Sequence, residues 1–100
     1  MEKKMEIINN LTASQRQEFK NDMLGIYQEC QNTLNGKMER LKDVTVNINL
    51  KSEVFLKVTF EYDNTISNDE KVKGRITDIH QYQNKSEYDV AVAVERSSLN

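Results

Sequence analysis

From Val44 to Tyr62 the apolar residues fall on even positions: Val44, Val46, Ile48 and Leu50, then Val54, Leu56, Val58, Phe60 and Tyr62. The odd positions are polar (Thr45, Asn47, Asn49, Lys51, Glu53, Lys57, Thr59, Glu61), with Phe55 the one exception. A period of two sustained over this length means β-structure with one buried face and one wet face. The phase also restrains the turn. It is unbroken across Lys51-Ser52-Glu53, so a three-residue loop flanked by Leu50 and Val54 keeps every apolar side chain on one face. One long bent strand would do the same, but strands usually run to about five or six residues, which favours the hairpin.

A lone hairpin is marginal in water, so another element must cover its apolar face. The preceding sequence supplies one. Thr12 and Ser14 are good helix N-caps, with Gln15 and Gln17 at the capping-box positions. Phe19, Met23, Ile26, Tyr27, Cys30, Leu34, Met38 and Leu41 then trace a single helical stripe. Glu18, Asn21, Asp22, Gly25, Gln28, Glu29, Asn32 and Gly36 lie opposite, on the wet side. The stripe predicts a helix over about 13–41. At about 1.5 Å per residue it would be ~43 Å long, against ~27 Å for strands of about eight residues. Either Asn35-Gly36 is a C-cap, or the helix runs on through Gly36 and its overhang, carrying Met38 and Leu41, becomes a dimer contact. Residues 2–11 form a short helix or an arm with Met5 and Ile8 on one side.

Beyond the hairpin, Asp63 to Glu70 is a polar loop. Val72 and Ile76 alternate with Lys71, Lys73, Arg75 and Thr77, and Tyr88, Val90, Val92 and Val94 alternate with Asp89, Ala91, Ala93 and Glu95. Strands are therefore expected at about 43–50, 54–62, 71–82 and 88–95. The expected fold is α+β: one long N-terminal helix packed on a four-stranded antiparallel sheet, a two-layer meander of two hairpins. One hundred residues suffice for a single small domain.

Composition narrows the chemistry. A formal charge of −2 lacks the basic excess of a dedicated nucleic-acid binder. Residues 1–42 hold seven Lys/Arg against six Asp/Glu, and residues 43–100 seven against ten, so neither half is a polyelectrolyte. One cysteine, Cys30, excludes an internal disulfide and a multi-cysteine zinc site. No apolar run is long enough for a membrane span, and no signal-peptide core follows Met1-Glu2-Lys3-Lys4. A cytoplasmic location is expected. Abundant Asn, Lys, Glu and Ile without Pro or Trp fits the coding bias of an AT-rich genome, such as a low-GC bacterium, its phages or its plasmids.

Several residues break the regular pattern. In a regular strand Asp78 and His80 would join Ile76 on the core face, where the carboxylate could orient the imidazole in a polar pocket. A β-bulge near Asp78 instead returns Ile79 to the core and turns His80 outward; that, or an edge position beyond the core, is the favoured reading. The basic stripe Lys71-Lys73-Arg75 could touch phosphates, or could pair with Glu53, Glu61, Asp89 or Glu95 on neighbouring strands. Phe55, Ala91 and Ala93 on the nominally wet face would suit a flat contact surface. Cys30, in mid-stripe, reads as an inert buried thiol. There is no phosphate-cradling glycine loop, no paired-carboxylate constellation and no Ser/His/Asp set.

The first functional expectation is therefore a small non-enzymatic protein–protein module. It would be homo-oligomeric or bound to another protein, for instance as a phage or mobile-element inhibitor or adaptor, and need no cofactor or metal. Candidate partner-contact residues are Phe55, Lys73, Arg75, Asp78, His80, Ala91 and Ala93, with Met38 and Leu41 at a dimer contact. The alternatives are a small-ligand binder for a metabolite or nucleotide, with its site near Asp78, His80, Tyr82 and Tyr88, and a weak nucleic-acid binder using Lys71, Lys73 and Arg75.

Overall fold

A computed structural model describes residues 3–98. The elements in order are α1 (Lys3–Asn10), α2 (Ala13–Leu34), β1 (Arg40–Leu50), β2 (Val54–Asp63), α3 (Glu70–Lys73), β3 (Gly74–Gln81) and α4 (Lys85–Ser98). The strands form an antiparallel meander in the order β1-β2-β3.

The hairpin follows from its own alternation. Leu50 pairs with Val54 across the three-residue loop, and Val44, Val46 and Ile48 pair with Phe60, Val58 and Leu56. Ser52 and Glu53 both take positive φ (71° and 61°) to close that loop without a glycine. Its tip is tied to α2, because the Lys51 backbone N–H donates to the Glu18 carboxylate at 2.8 Å.

α2 begins where the capping box places it. The Gln15 N–H donates to Thr12 Oγ1 at 3.1 Å, and the Thr12 N–H donates to Gln15 Oε1 at 2.9 Å. The helix expected over 13–41 stops at Leu34. Asn35 takes the left-handed conformation at its C-terminus and Gly36 follows at φ 83°, an arrangement that ends helices by returning a backbone N–H to the last turn. Met38 is exposed outside any helix. Leu41 belongs to β1, and a bulge between Leu41 and Val44, with Asp43 at φ 55°, shifts the phase so that Leu41 packs against the core.

The core lies between α1/α2 and the even face of the hairpin. Phe19, Met23, Tyr27 and Leu34 from the helix meet Ile48, Leu50, Leu56, Val58, Phe60 and Tyr62. The Tyr27 ring stands edge-on to Phe60 (centroids 5.4 Å apart) and lies over Gly74. α1 covers β3, adding Ile7 and Ile8 to the core, and Lys4 Nζ donates to the Ile76 carbonyl at 3.0 Å.

Two further expectations are corrected. The third strand, expected over 71–82, runs only over 74–81, because Asp69 caps a helical turn, α3, at Glu70–Lys73. The fourth strand, expected over 88–95, is the helix α4, so the sheet has three strands. Asn84 caps it, since the Glu87 N–H donates to Asn84 Oδ1 at 3.0 Å while the Glu87 carboxylate accepts from the Gln83 N–H. Tyr88, Ala91 and Val92 then turn toward the rest of the molecule, whereas Val90 and Val94 are 61% and 63% exposed on the outer side. The valines that mimic alternation are divided between two faces of a helix.

α4 lies on the odd face of the sheet, making a third layer. Phe55, the exception in the alternation, is its anchor: Phe55 is buried, its ring centroid 5.1 Å from that of Tyr88. Asn47 on the same face accepts from the Tyr82 hydroxyl at 2.8 Å and donates to Glu95 at 2.7 Å.

Candidate functional site

The residues singled out by sequence are dispersed. Phe55 lies under Tyr88 and is not a contact surface. Lys73 is 5% exposed, its ammonium donating to Asn64 Oδ1 at 2.7 Å while Asn64 donates to the Lys37 carbonyl. It braces the loop after β2 and leaves the basic stripe. Arg75 faces Glu61 across the sheet at 3.5 Å, a cross-strand pair. Ala91 is half-buried and Ala93 exposed on α4. Met38 and Leu41 share no helix.

Asp78 and His80 are both exposed on the odd face, opposite Thr59 and Lys57. A bulge at Thr77, whose hydroxyl donates to the Thr59 carbonyl, puts Ile79 in the core at 2% exposure. His80 meets the Tyr82 ring edge-on at 5.2 Å, and Tyr82 meets Tyr88 at 6.0 Å. Among the described residues, Asp78 and His80 are open to solvent and not gathered in an enclosed pocket. Cys30 is half-buried, and burial, followed by the nearby Glu29, pushes its thiol up, away from the nucleophilic thiolate. Among the described residues no group of three or more His, Cys, Asp or Glu side chains is gathered to hold a metal ion.

What the structure does assemble lies at the two edges of the sheet. They are unlike. The β3 edge is short and blunted by the Thr77 bulge, by the charges of Arg75 and Asp78, and by Lys4 on the Ile76 carbonyl, devices that discourage strand addition. On β1, residues 44–50 (Val-Thr-Val-Asn-Ile-Asn-Leu) carry no charge and no proline, and among the described residues no strand pairs with their outer side. The bulge at Asp43 interrupts only the start of that edge.

Beside the β1 edge runs a groove of about 390 Å³ between the strand and α2. Asn47, Ile48 and Asn49 line one wall, and Asp22, Gly25, Ile26 and Glu29 the other. Gly25 leaves open space where a side chain would stand. The charged residues lining the groove are acidic, and among the described residues no lysine or arginine lines it. Partial burial and, less strongly, the nearby Glu18 push the Asp22 carboxyl up. By sequence alone these carboxylates belong to the wet side of the helix. Their helical spacing is readable there, but not the strand that comes to lie beside them.

Against known proteins, the chain matches no protein-family model, no curated protein and no solved structure. What can be stated is the class: an α+β protein in which a long N-terminal helix packs on a three-stranded antiparallel meander, with a C-terminal helix.

Proposed function

We propose that this protein is a non-enzymatic protein-binding module that takes up an extended partner strand along β1. The observation that carries the reading is the uncharged edge of residues 44–50, which pairs with no further strand among the described residues, beside a groove walled by Asp22 and Glu29. Strand addition supplies backbone hydrogen bonds without demanding a particular sequence, and the adjoining groove supplies selectivity. The acidic wall favours a partner strand bearing Lys or Arg on the side that faces α2. It also argues against a second copy in this position, because two-fold pairing of β1 with itself would bring the acidic flanks of two α2 helices side by side.

The test uses the full chain, isotope-labelled, titrated with a short peptide of alternating Val and Lys. The expected result is chemical-shift change and slowed amide exchange in residues 44–50, weakened in Asp22→Lys/Glu29→Lys and absent for an alternating Val and Glu peptide. Shifts confined to other surfaces, or equal binding of both peptides, would overturn the reading. Light scattering on the free protein distinguishes the self-paired alternative: a dimer with residues 44–50 protected from exchange would replace the heterologous partner with a second copy.

A further inference from the structure

On the other flank of α2 lies a larger groove, of about 420 Å³, between the helix, the α3 turn and the start of β3. Its apolar wall is Phe19, Met23, Leu24, Tyr27 and Ile76. Gly74 lies under the Tyr27 ring, so a Cβ there would clash with the ring. Among the described residues no carboxylate lines the groove. Lys20 on α2 and Lys71 on α3 stand on its two sides, both exposed, and among the described residues neither ammonium has a hydrogen-bond or ion-pair partner. Arg75 also lines the groove, but its guanidinium is turned to Glu61 on the opposite face of the sheet. The one acid of α3, Glu70, lies against the side-chain amide of Gln28. The Tyr27 hydroxyl makes no hydrogen bond among the described residues, although burial pushes its pKa up to about 12 and so keeps it a neutral donor.

We propose that this groove binds a small amphipathic anion: an acyl or aryl carboxylate whose apolar body lies on Phe19, Leu24 and Ile76 and whose carboxylate sits between Lys20 and Lys71. The shape and the charges agree. Small-molecule sites are apolar concavities of roughly 300–1,000 Å³ with a few placed polar groups, and two free ammoniums facing an apolar floor select negative charge at one end of the ligand. A peptide is disfavoured because β3, the strand it would need, already has its Ile76 carbonyl occupied by Lys4 and its ladder broken at Thr77. The site is independent of the β1 edge, which lies on the acidic flank of the same helix.

The probes are octanoate, octan-1-ol and octyltrimethylammonium, each titrated into the isotope-labelled full chain. Octanoate is expected to shift the amides of Lys20, Leu24, Lys71 and Ile76. The alcohol should bind about tenfold more weakly, the loss expected when a charge-assisted contact is removed, and the cation should not bind there. Lys20→Glu/Lys71→Glu, which changes two exposed residues, should weaken octanoate by at least about tenfold while leaving the spectrum of the fold intact. Leu24→Trp, which fills the groove, should abolish binding of octanoate. The proposal is overturned if octanoate leaves these amides unmoved, if the cation binds as well as the anion, or if the charge-reversed variant retains full affinity.

Discussion

Replacing Gly74 by alanine tests the packing on which the core turns. Gly74 has φ −93° and ψ 132°, a conformation open to any residue, so its necessity lies in space and not in backbone freedom. A Cβ at this position would lie 2.2 Å from Tyr27 Cζ and 2.4 Å from both Cε atoms. An ordinary carbon–carbon contact is about 3.5–4.0 Å, so the ring must retreat by more than about 1 Å. It has no free direction toward the sheet, where Phe60 and Tyr62 stand at centroid distances of 5.4 and 6.0 Å. The ring must tilt into the α2–β3 groove and give up part of its contact with Phe60. Overpacking costs about 1–3 kcal/mol, and a ring displacement of more than about 1 Å belongs in the upper part of that range, about 2–3 kcal/mol, offset by roughly 0.4–1 kcal/mol because alanine restricts the unfolded chain. The expected net loss is therefore about 1–2.6 kcal/mol, or roughly 4–20 °C in Tm for a chain of this length. Urea unfolding followed by circular dichroism measures it, and a cycle with Tyr27→Leu isolates the cause. If the ring is the obstacle, the double variant is less destabilised than the sum of the single variants by about 1 kcal/mol or more. A neutral or stabilised Gly74→Ala, or simple additivity, would refute the reasoning.

Three further outcomes are expected. Asn84→Ala removes the α4 cap at a cost of about 0.5–2 kcal/mol, and it should accelerate amide exchange across Lys85–Ser98 much more than in β2; strand-like carbon shifts in that segment would contradict the helix. Tyr27, pushed up by burial and then by Cys30 to about 12, contributes stability that is complete below its unfolded value of about 10 and lost as pH rises toward 12. The last step of a phenolate absorbance titration should vanish in Tyr27→Phe, and its persistence would exclude Tyr27 as the source. The Asp63 carboxyl is held below its ordinary value of 3.8 by hydrogen bonds from the Thr65 side chain and backbone and, less strongly, by Arg40. Its contribution is present above that value and disappears as pH falls through the lower folded one. Asp63→Asn should accordingly flatten the acid limb of stability against pH, and an unchanged limb would count against it.

The hairpin was legible because burial on one face and turn closure both act within a few residues. Leu50 and Val54 flank the loop as the phase requires, and the bulge that returns Ile79 to the core was visible as a break in that phase. The end of α2 was not decided by the apolar stripe. Met38 and Leu41 continue the helical period, but the left-handed Asn35 and Gly36 stop the helix whatever the apolar spacing downstream. α4 escaped the strand-period reading because Val90, Val92 and Val94 satisfy a period of two while Tyr88, Ala91, Val92 and Glu95 satisfy one near 3.6. Local chemistry chose between them: Asn84 and Glu87 form a cap, a signal already present in the sequence. Phe55 held the other half of the answer. Its ring is covered by Tyr88 of α4, and a fourth strand in the same sheet could not have lain over it.

Neither candidate site could be read in the same way, because each depends on where the two flanks of one helix come to rest. Around α2, Glu18, Asp22 and Glu29 fall to one side of the core stripe and Lys20 to the other. In sequence this is a solvated helix with mixed charge. Docked on the sheet, the acidic flank meets the uncharged edge of β1, and the basic flank meets the start of β3 and Lys71. Charge of both signs is thereby separated across the width of the helix. The strength of either site then depends on α2 keeping its rotation about its own axis. A helix at about 100° per residue cannot turn one flank toward its strand without turning the other away. Tyr27 over Gly74 fixes that rotation from the centre of the core stripe. Gly74→Ala should consequently disturb both grooves, while Asp22→Lys/Glu29→Lys and Lys20→Glu/Lys71→Glu should each disturb only their own.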